Sequence, residues 1–160
     1  MAMKVEYINP FLTSTMSVFE TMLGCTLSRK DPYLKGSPSP EHEISGIIGL
    51  SGKAKGTVVL SLSEEAALKG AGAMMGEPME ELNADVIDAV GEMTNMIAGG
   101  AKAQLEQYEM SLSIPNVITG KGHTVEFPRD ATPICIPFDC PWGLVTVEFG
   151  LVEQPAAVLS

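Results

Sequence analysis

The sequence predicts one α+β domain in which helices pack on an antiparallel β-sheet. Three observations predict this fold class. A long amphipathic helix pattern occupies the middle of the chain, a run of alternating apolar residues stands on each side of it, and turn-forming residues divide each run into two strands. The chain has 160 residues, 45% of them hydrophobic, which is enough for one core and too few for two. We therefore predict a single domain over residues 1–160.

The N-terminal part is predicted to hold a helix and then a loop. Apolar residues recur at intervals of three and four over residues 10–23, and Gly24 supplies a helix stop. Residues 31–43 are rich in proline, serine and glycine, a composition that predicts an exposed loop. We expect His42, at the end of this loop, to be solvated.

The strands are predicted as two hairpins. Residues 44–50 and 57–62 flank a turn rich in glycine and lysine. Residues 134–138 and 145–149 alternate in the same way on either side of a turn that contains proline and glycine. Residues 111–114 predict a further short strand.

Two helices are predicted between the hairpins. Ser63 precedes two glutamates, which is typical of a helix start, and Gly76 supplies the stop. Asn83 is predicted to cap a central helix that runs to about residue 108 and is about 35 Å long at 1.5 Å per residue. The apolar arc of this central helix consists of Val86, Val90, Met93, Ile97, Ala101 and Leu105.

The opposite face of the central helix is polar. Glu92 and Asn95 are three residues apart and therefore project side by side. Gly99 follows one turn later, and a glycine inside a helix costs about 1 kcal/mol relative to alanine. Because a missing side chain lets another protein come close, and because Asp88 and Lys102 extend the same face, we expect a partner to dock there.

Composition limits the function classes. The formal net charge is −10, with 10 basic and 20 acidic residues, which argues against a nucleic-acid partner. No run reaches the roughly 18 apolar residues of a membrane span, and the first residues lack the pattern of a secretory signal. We expect a cytoplasmic protein that does not enter a membrane.

The cysteines predict neither a disulfide framework nor a zinc site. Cys25, Cys135 and Cys140 are odd in number and form no C-x-x-C motif. We expect them to be small buried apolar side chains, and we predict no metal or cofactor bound by this chain.

Residues 88–102 resemble the CheC/CheX/FliY family of chemotaxis phosphatases. Those proteins carry an acidic residue and an asparagine spaced E-x-x-N on a long helix, and here the pattern runs from Glu92 to Asn95. The resemblance continues outside this helix and favours the CheX branch. It covers residues 44–52, 55–62, 115–123 and 141–143.

The resemblance predicts one active centre. CheC-type members carry a second E-x-x-N on their first helix, whereas Glu20 is followed three residues later by Leu23. Glu80 and Asn83 also fit the spacing, but Asn83 is better explained as the helix cap.

The resemblance implies a CheC-like sandwich and a phosphatase that acts on the aspartyl phosphate of a CheY-like response regulator. Asn95 would orient the attacking water in the receiver active site, and Glu92 would pair with the receiver's conserved lysine. Asp88, Gly99 and Lys102 are predicted partner contacts. Mg²⁺ is expected in the receiver rather than in this chain.

Family resemblance also implies a homodimer joined through sheet edges. The alternative function is a non-catalytic CheX-like module that docks a receiver or another signalling partner without accelerating hydrolysis. A third possibility is a structural dimer without receiver contact. All three functions are compatible with the same fold. They differ in whether the polar face of the central helix contacts a receiver and in whether it accelerates hydrolysis.

Overall fold

The computed structural model describes residues 5–35, 42–120, 123, 125 and 127–154. The described helices and strands occur in separate runs along the chain, as is typical of an α+β protein. They are α1 (Val5–Leu23), β1 (Ser28–Arg29), β2 (Tyr33–Leu34), β3 (Ile44–Ser51), β4 (Ala54–Leu62), α2 (Glu64–Met75), α3 (Ala84–Ala103), a 3₁₀ turn (Glu106–Tyr108), β5 (Ser111–Leu112), β6 (Asn116–Thr119), β7 (Ile134–Cys140) and β8 (Gly143–Glu153).

The strands form one antiparallel sheet. Its order is β1-β7-β8-β4-β3-β5, with β2 beside β7 and β6 beside β3. Both predicted hairpins are present, β3 with β4 and β7 with β8, and the long pairing of β4 with β8 joins them. The predicted α+β class is confirmed, and β6 is a strand that the sequence pattern did not predict.

The helices cover one face of the sheet. Phe11 of α1 stacks on Phe149 of β8 with ring centroids 4.4 Å apart, at the centre of this layer. The predicted apolar arc of α3 is buried along its whole length, so the rotation of α3 on the sheet is fixed. Its six members are Val86, Val90, Met93, Ile97, Ala101 and Leu105, each 1% exposed or less.

Two helix boundaries differ from the prediction. Helix α1 begins at Val5, with Pro10 inside it, because the preceding turn buries Tyr7 and Ile8 in the core. Pro10 is the sixth residue of α1 and lacks the N–H that would bond to the carbonyl four residues earlier, so this packing has to offset the loss of that hydrogen bond. Helix α3 ends at Ala103, with a 3₁₀ turn after it, and is therefore about 30 Å long.

The predicted exposed loop 31–43 is exposed at Tyr33 and Leu34, but it contains a short strand there and a buried residue after it. Tyr33–Leu34 pairs with β7, and the next residue, Lys35, forms a buried ion pair with Glu148 at 3.0 Å. His42 is half-buried rather than solvated, with its Nε2 3.0 Å from the Thr146 hydroxyl. Residues 36–41 of this loop, and residues 121–122 of the family resemblance, lie outside the described residues.

Two of the three cysteines are buried as predicted, and the third is not. Cys25 and Cys135 are buried and Cys140 is half-buried. The sulfur atoms of Cys25 and Cys140 lie 3.8 Å apart, and burial together with this neighbour raises the pKa of the Cys25 thiol to about 12. None of the described helices is long and apolar enough to span a bilayer.

Candidate functional site

Helix α3 presents the predicted functional face because its start and its inner side are anchored. At the start, the Asn83 side chain accepts a hydrogen bond from the Val86 N–H at 3.0 Å, as predicted for a cap. On the inner side, Thr94 is fully buried and donates to the Val90 carbonyl at 2.7 Å. Asn95 lies on the side of α3 opposite the buried apolar arc and is half-buried.

Glu92 and Asn95 both lie at the accessible surface of α3. Glu92 is exposed and Asn95 is half-buried. In the part of the chain that the structure describes, neither side chain forms a hydrogen bond or an ion pair with another residue. A carboxylate and a carboxamide one helical turn apart are thus available to a group that comes from outside this chain.

The other predicted site residues lie on the same helix. Asp88 and Lys102 are exposed, and Gly99 is half-buried. A Cβ atom added at Gly99 would meet only Leu112 Cδ1, at 4.0 Å, so the space above Gly99 is open. Asp88, Glu92, Gly99 and Lys102 thus lie on one side of α3.

The two other glycines of α3 serve internal packing. A Cβ at Gly91 would lie 3.5 Å from Val117 Cγ2, and one at Gly100 would overlap the Ser14 hydroxyl of α1. Ser14 donates a hydrogen bond to the Ile97 carbonyl at 2.7 Å, so α1 and α3 are in close contact there. Gly99 is consequently the glycine of α3 whose missing side chain faces outward.

A groove of about 340 Å³ opens beside Glu92, and we call it the acidic groove. Its walls come from the last turn of α2 and the first half of α3. It is lined by Met74, Met75, Asp85, Asp88, Ala89 and Glu92.

Sequence reasoning missed the contribution of α2 to this face. A methionine is most simply explained as filling the core, yet Met75 is 42% exposed. Methionine in the last turn of a helix has the same sequence pattern in a core and on a binding surface, so no local signal distinguishes the two. A second groove, of about 400 Å³, adjoins Gly99 and Lys102 at the other end of α3.

Glu92 and Asn95 are suited to positioning other groups through hydrogen bonds and ion pairs. In the described residues no group of three or more His, Cys, Asp or Glu side chains is placed to hold a metal ion. An amide both donates and accepts hydrogen bonds without ionising near neutral pH, and a carboxylate pairs with a cation. The face can therefore complete a reaction centre that a partner brings.

Comparison with known proteins gives the family. The family model for the chemotaxis phosphatase CheX matches residues 44–139, more than half of the chain. The CheY-P phosphatase CheX of Thermotoga maritima is 29% identical over 122 residues, which are 74% of this chain and 79% of that protein.

Solved structures give the same result. The chemotaxis protein CheX from Vibrio vulnificus is 35% identical, with a TM-score of 0.85 over 92% of this chain and 99% of that one. The CheX–CheY–BeF₃–Mg²⁺ complex from Borrelia burgdorferi shares the fold at 24% identity, with a TM-score of 0.79 over 94% of this chain and 100% of that one. The protein therefore belongs to the CheX family of chemotaxis phosphatases.

Proposed function

We propose that this protein dephosphorylates the aspartyl phosphate of a CheY-like response regulator by inserting Glu92 and Asn95 into the receiver active site. One observation carries the proposal. In a chain of the CheX family, these two side chains lie one turn apart on an accessible helix face and have no partner among the described residues. The receiver supplies the phosphorylated aspartate and its Mg²⁺, and this chain supplies the groups that direct water.

The role assigned to Asn95 is to orient the attacking water molecule. Its carbonyl oxygen accepts a hydrogen bond from the water molecule and its N–H₂ group donates to an oxygen in the receiver site. The water oxygen attacks phosphorus in line with the bond to the aspartate oxygen. That bond breaks, the aspartate returns as a carboxylate, and inorganic phosphate leaves. Orienting the water avoids a loss of entropy in the transition state, and a hundredfold acceleration needs only about 2.7 kcal/mol.

The role assigned to Glu92 is to fix the orientation of α3 against the receiver. Its carboxylate pairs with a lysine of the receiver, which fixes the approach of α3 and brings Asn95 beside the phosphoryl group. Gly99 leaves room for the receiver backbone one turn further on. Asp88 and Lys102, exposed at the two ends of the face, are proposed as contacts outside the phosphorylation pocket.

Two relatives support this choice of partner. The Thermotoga maritima relative is a CheY-P phosphatase, and the Borrelia burgdorferi structure holds CheX together with CheY, BeF₃ and Mg²⁺. The activity and the partner belong to those two proteins. They support the proposal for this chain because it shares their family and fold.

The same face would serve the alternative, a module that grips the receiver without accelerating hydrolysis. The two functions separate when binding and decay are measured on one variant. Asn95→Ala should still bind a beryllofluoride-loaded receiver while the loss of phosphoryl label falls toward the receiver's own rate. Unchanged binding with decay at the receiver's own rate for both wild type and variant would instead establish the binding module.

We also propose a cytoplasmic homodimer joined at a sheet edge. The strands at the two edges of the described sheet are short, and side chains beside them are exposed, among them Leu34 at 43% and Ile114 at 83%. Pairing with a second copy would cover such an edge. Sedimentation of the wild type against a proline substitution in each edge strand tests this, since proline removes a ladder donor.

A further inference from the structure

We propose that Ile114, at the edge of the sheet beside Asn95, packs against an apolar side chain of the receiver at the rim of its phosphorylation pocket. This inference rests on the proposed function and deepens it, because it names an apolar anchor for the partner. Ile114 would then help to determine which receiver this protein accepts.

The first argument is exposure. The Ile114 side chain is 83% exposed, and the next most exposed large hydrophobic side chain among the described residues, Leu144, is 58% exposed. Single apolar side chains are common on protein surfaces, so exposure alone does not indicate a contact. Residues 110–119, however, contain no charged side chain. The segment around Ile114 therefore has the uncharged composition that is typical of the centre of a protein–protein interface.

The second argument is a β-bulge at the edge of the sheet. In β5, Leu112 lies opposite Leu50 of β3. In β6, Asn116 lies opposite Ile47 of the same strand. Three residues separate these pairs along the edge, whereas two separate them along β3, so one edge residue is extra. Bulges of this kind redirect side chains and are common next to active sites.

The position of the bulge disfavours a second copy of this chain as the occupant. The Ser113 N–H donates to the Gly49 carbonyl at 2.9 Å, so the extra residue is Ile114 or Pro115. Proline has no N–H to donate, and bulges and prolines block the addition of a strand at a sheet edge. Strand pairing with a second copy is therefore interrupted at Ile114, whereas a side-chain contact with a receiver needs no backbone donor there.

The third argument is the position of the bulge beside the turn of α3 that carries Asn95. Gly91 and Gly99 lie four residues before and after Asn95. A Cβ atom at Gly99 would lie 4.0 Å from Leu112 Cδ1, and one at Gly91 would lie 3.7 Å from Pro115 Cγ. The edge segment thus passes α3 at the level of Asn95. A receiver that places its phosphoryl group beside Asn95 must extend over this segment.

The test is the affinity for a beryllofluoride-loaded CheY-like receiver of the same organism, measured by titration calorimetry. Ile114→Ser should raise Kd by about five- to thirtyfold, because most of one apolar side chain is no longer buried on binding. The increase should not depend on salt, since screening acts on charges. Ile114→Leu, which keeps the apolar surface, should retain most of the affinity. The kcat of dephosphorylation should change by less than about twofold, since Ile114 does not touch the reacting atoms.

The matched control is Leu144→Ser, which removes an exposed apolar side chain from β8, separated from β3 by β4. It should leave Kd unchanged. Equal Kd values for wild type and Ile114→Ser would overturn the inference. Loss of self-association by Ile114→Ser in sedimentation would also overturn it, because the side chain would then cover a second copy of the chain.

Failure of the inference and failure of the proposed function give different results. Decay that depends on Asn95, with a Kd that does not depend on Ile114, would refute the inference alone. A Kd that depends on Ile114, without any acceleration of decay by the wild type, would refute the proposed function and support the contact. A receiver that does not bind the wild type would overturn both.

Discussion

Gly46 of β3 lies directly below Thr94 of α3, so close that a Cβ atom at Gly46 would overlap the Thr94 hydroxyl. This contact sets the height of α3 above the sheet immediately beside Asn95. Gly46→Ala should lower the free energy of unfolding by about 1–3 kcal/mol, the usual range for overpacking a core. Urea unfolding measures the change. The double variant Gly46→Ala/Thr94→Ala, which removes the overlapping oxygen, should recover part of the loss, and no recovery would contradict the contact.

Two adjacent glycines of α3 should respond to alanine in opposite directions. Gly99→Ala should raise the free energy of unfolding by up to about 1 kcal/mol, because alanine is the better helix former and the space is open. Gly100→Ala should lower it by about 1–3 kcal/mol, because the new Cβ displaces the Ser14 hydroxyl. If the proposed docking is correct, Gly99→Ala should also raise KM for the receiver. Equal stability changes at the two positions would contradict the packing described for α1 and α3.

The buried ion pair should matter far more than an exposed one. Lys35 and Glu148 are 2% and 1% exposed, whereas the Lys30–Asp139 pair is 54% and 65% exposed. Lys35→Met should destabilise the fold by about 3–5 kcal/mol, because it removes the cation that lies 3.0 Å from a buried carboxylate. Lys30→Met should change stability by less than about 1 kcal/mol. Thermal unfolding of the two variants side by side provides the measurement, and similar losses would contradict the assigned burial.

Stability should fall with rising pH through the titration of Cys25. The pKa of this thiol is raised from 9.0 to about 12 by burial and by the nearby Cys140 sulfur. Between these values the unfolded chain releases the proton while the folded chain retains it, so the stabilisation is complete below pH 9 and is lost toward pH 12. The comparison is unfolding at pH 7.5 and pH 10.5. Cys25→Ala should lose less stability over this interval than the wild type, and equal losses would contradict the shift.

The features predicted from the sequence are those that short-range patterns determine. The buried arc of α3, the caps at Ser63 and Asn83 and both hairpins depend on residues a few positions apart. The errors depend on distant residues. Lys35 is buried because Glu148 of β8 lies under it, and α1 extends before Pro10 because Tyr7 reaches Glu153. Neither contact can be recognised from the residues that are near it in sequence.

The candidate site divides in the same way. Glu92 and Asn95 share a face because three residues make almost one helical turn, which the sequence alone predicts. The opposite wall of the acidic groove comes from α2, and its distance from α3 is set by the fold rather than by either helix. The position of Met75 beside Glu92 can therefore be recognised only when the packing of the two helices is known.

The most direct test is the decay of phosphoryl label on a CheY-like receiver under a saturating excess of this protein. Asn95→Ala is compared with the wild type and with Asn9→Ala, which removes an exposed carboxamide from α1. We expect wild type and Asn9→Ala to accelerate decay equally. Asn95→Ala should lose most of the acceleration, about a hundredfold for a contribution of 2.7 kcal/mol. Full acceleration by Asn95→Ala would contradict the assignment of the water to this side chain.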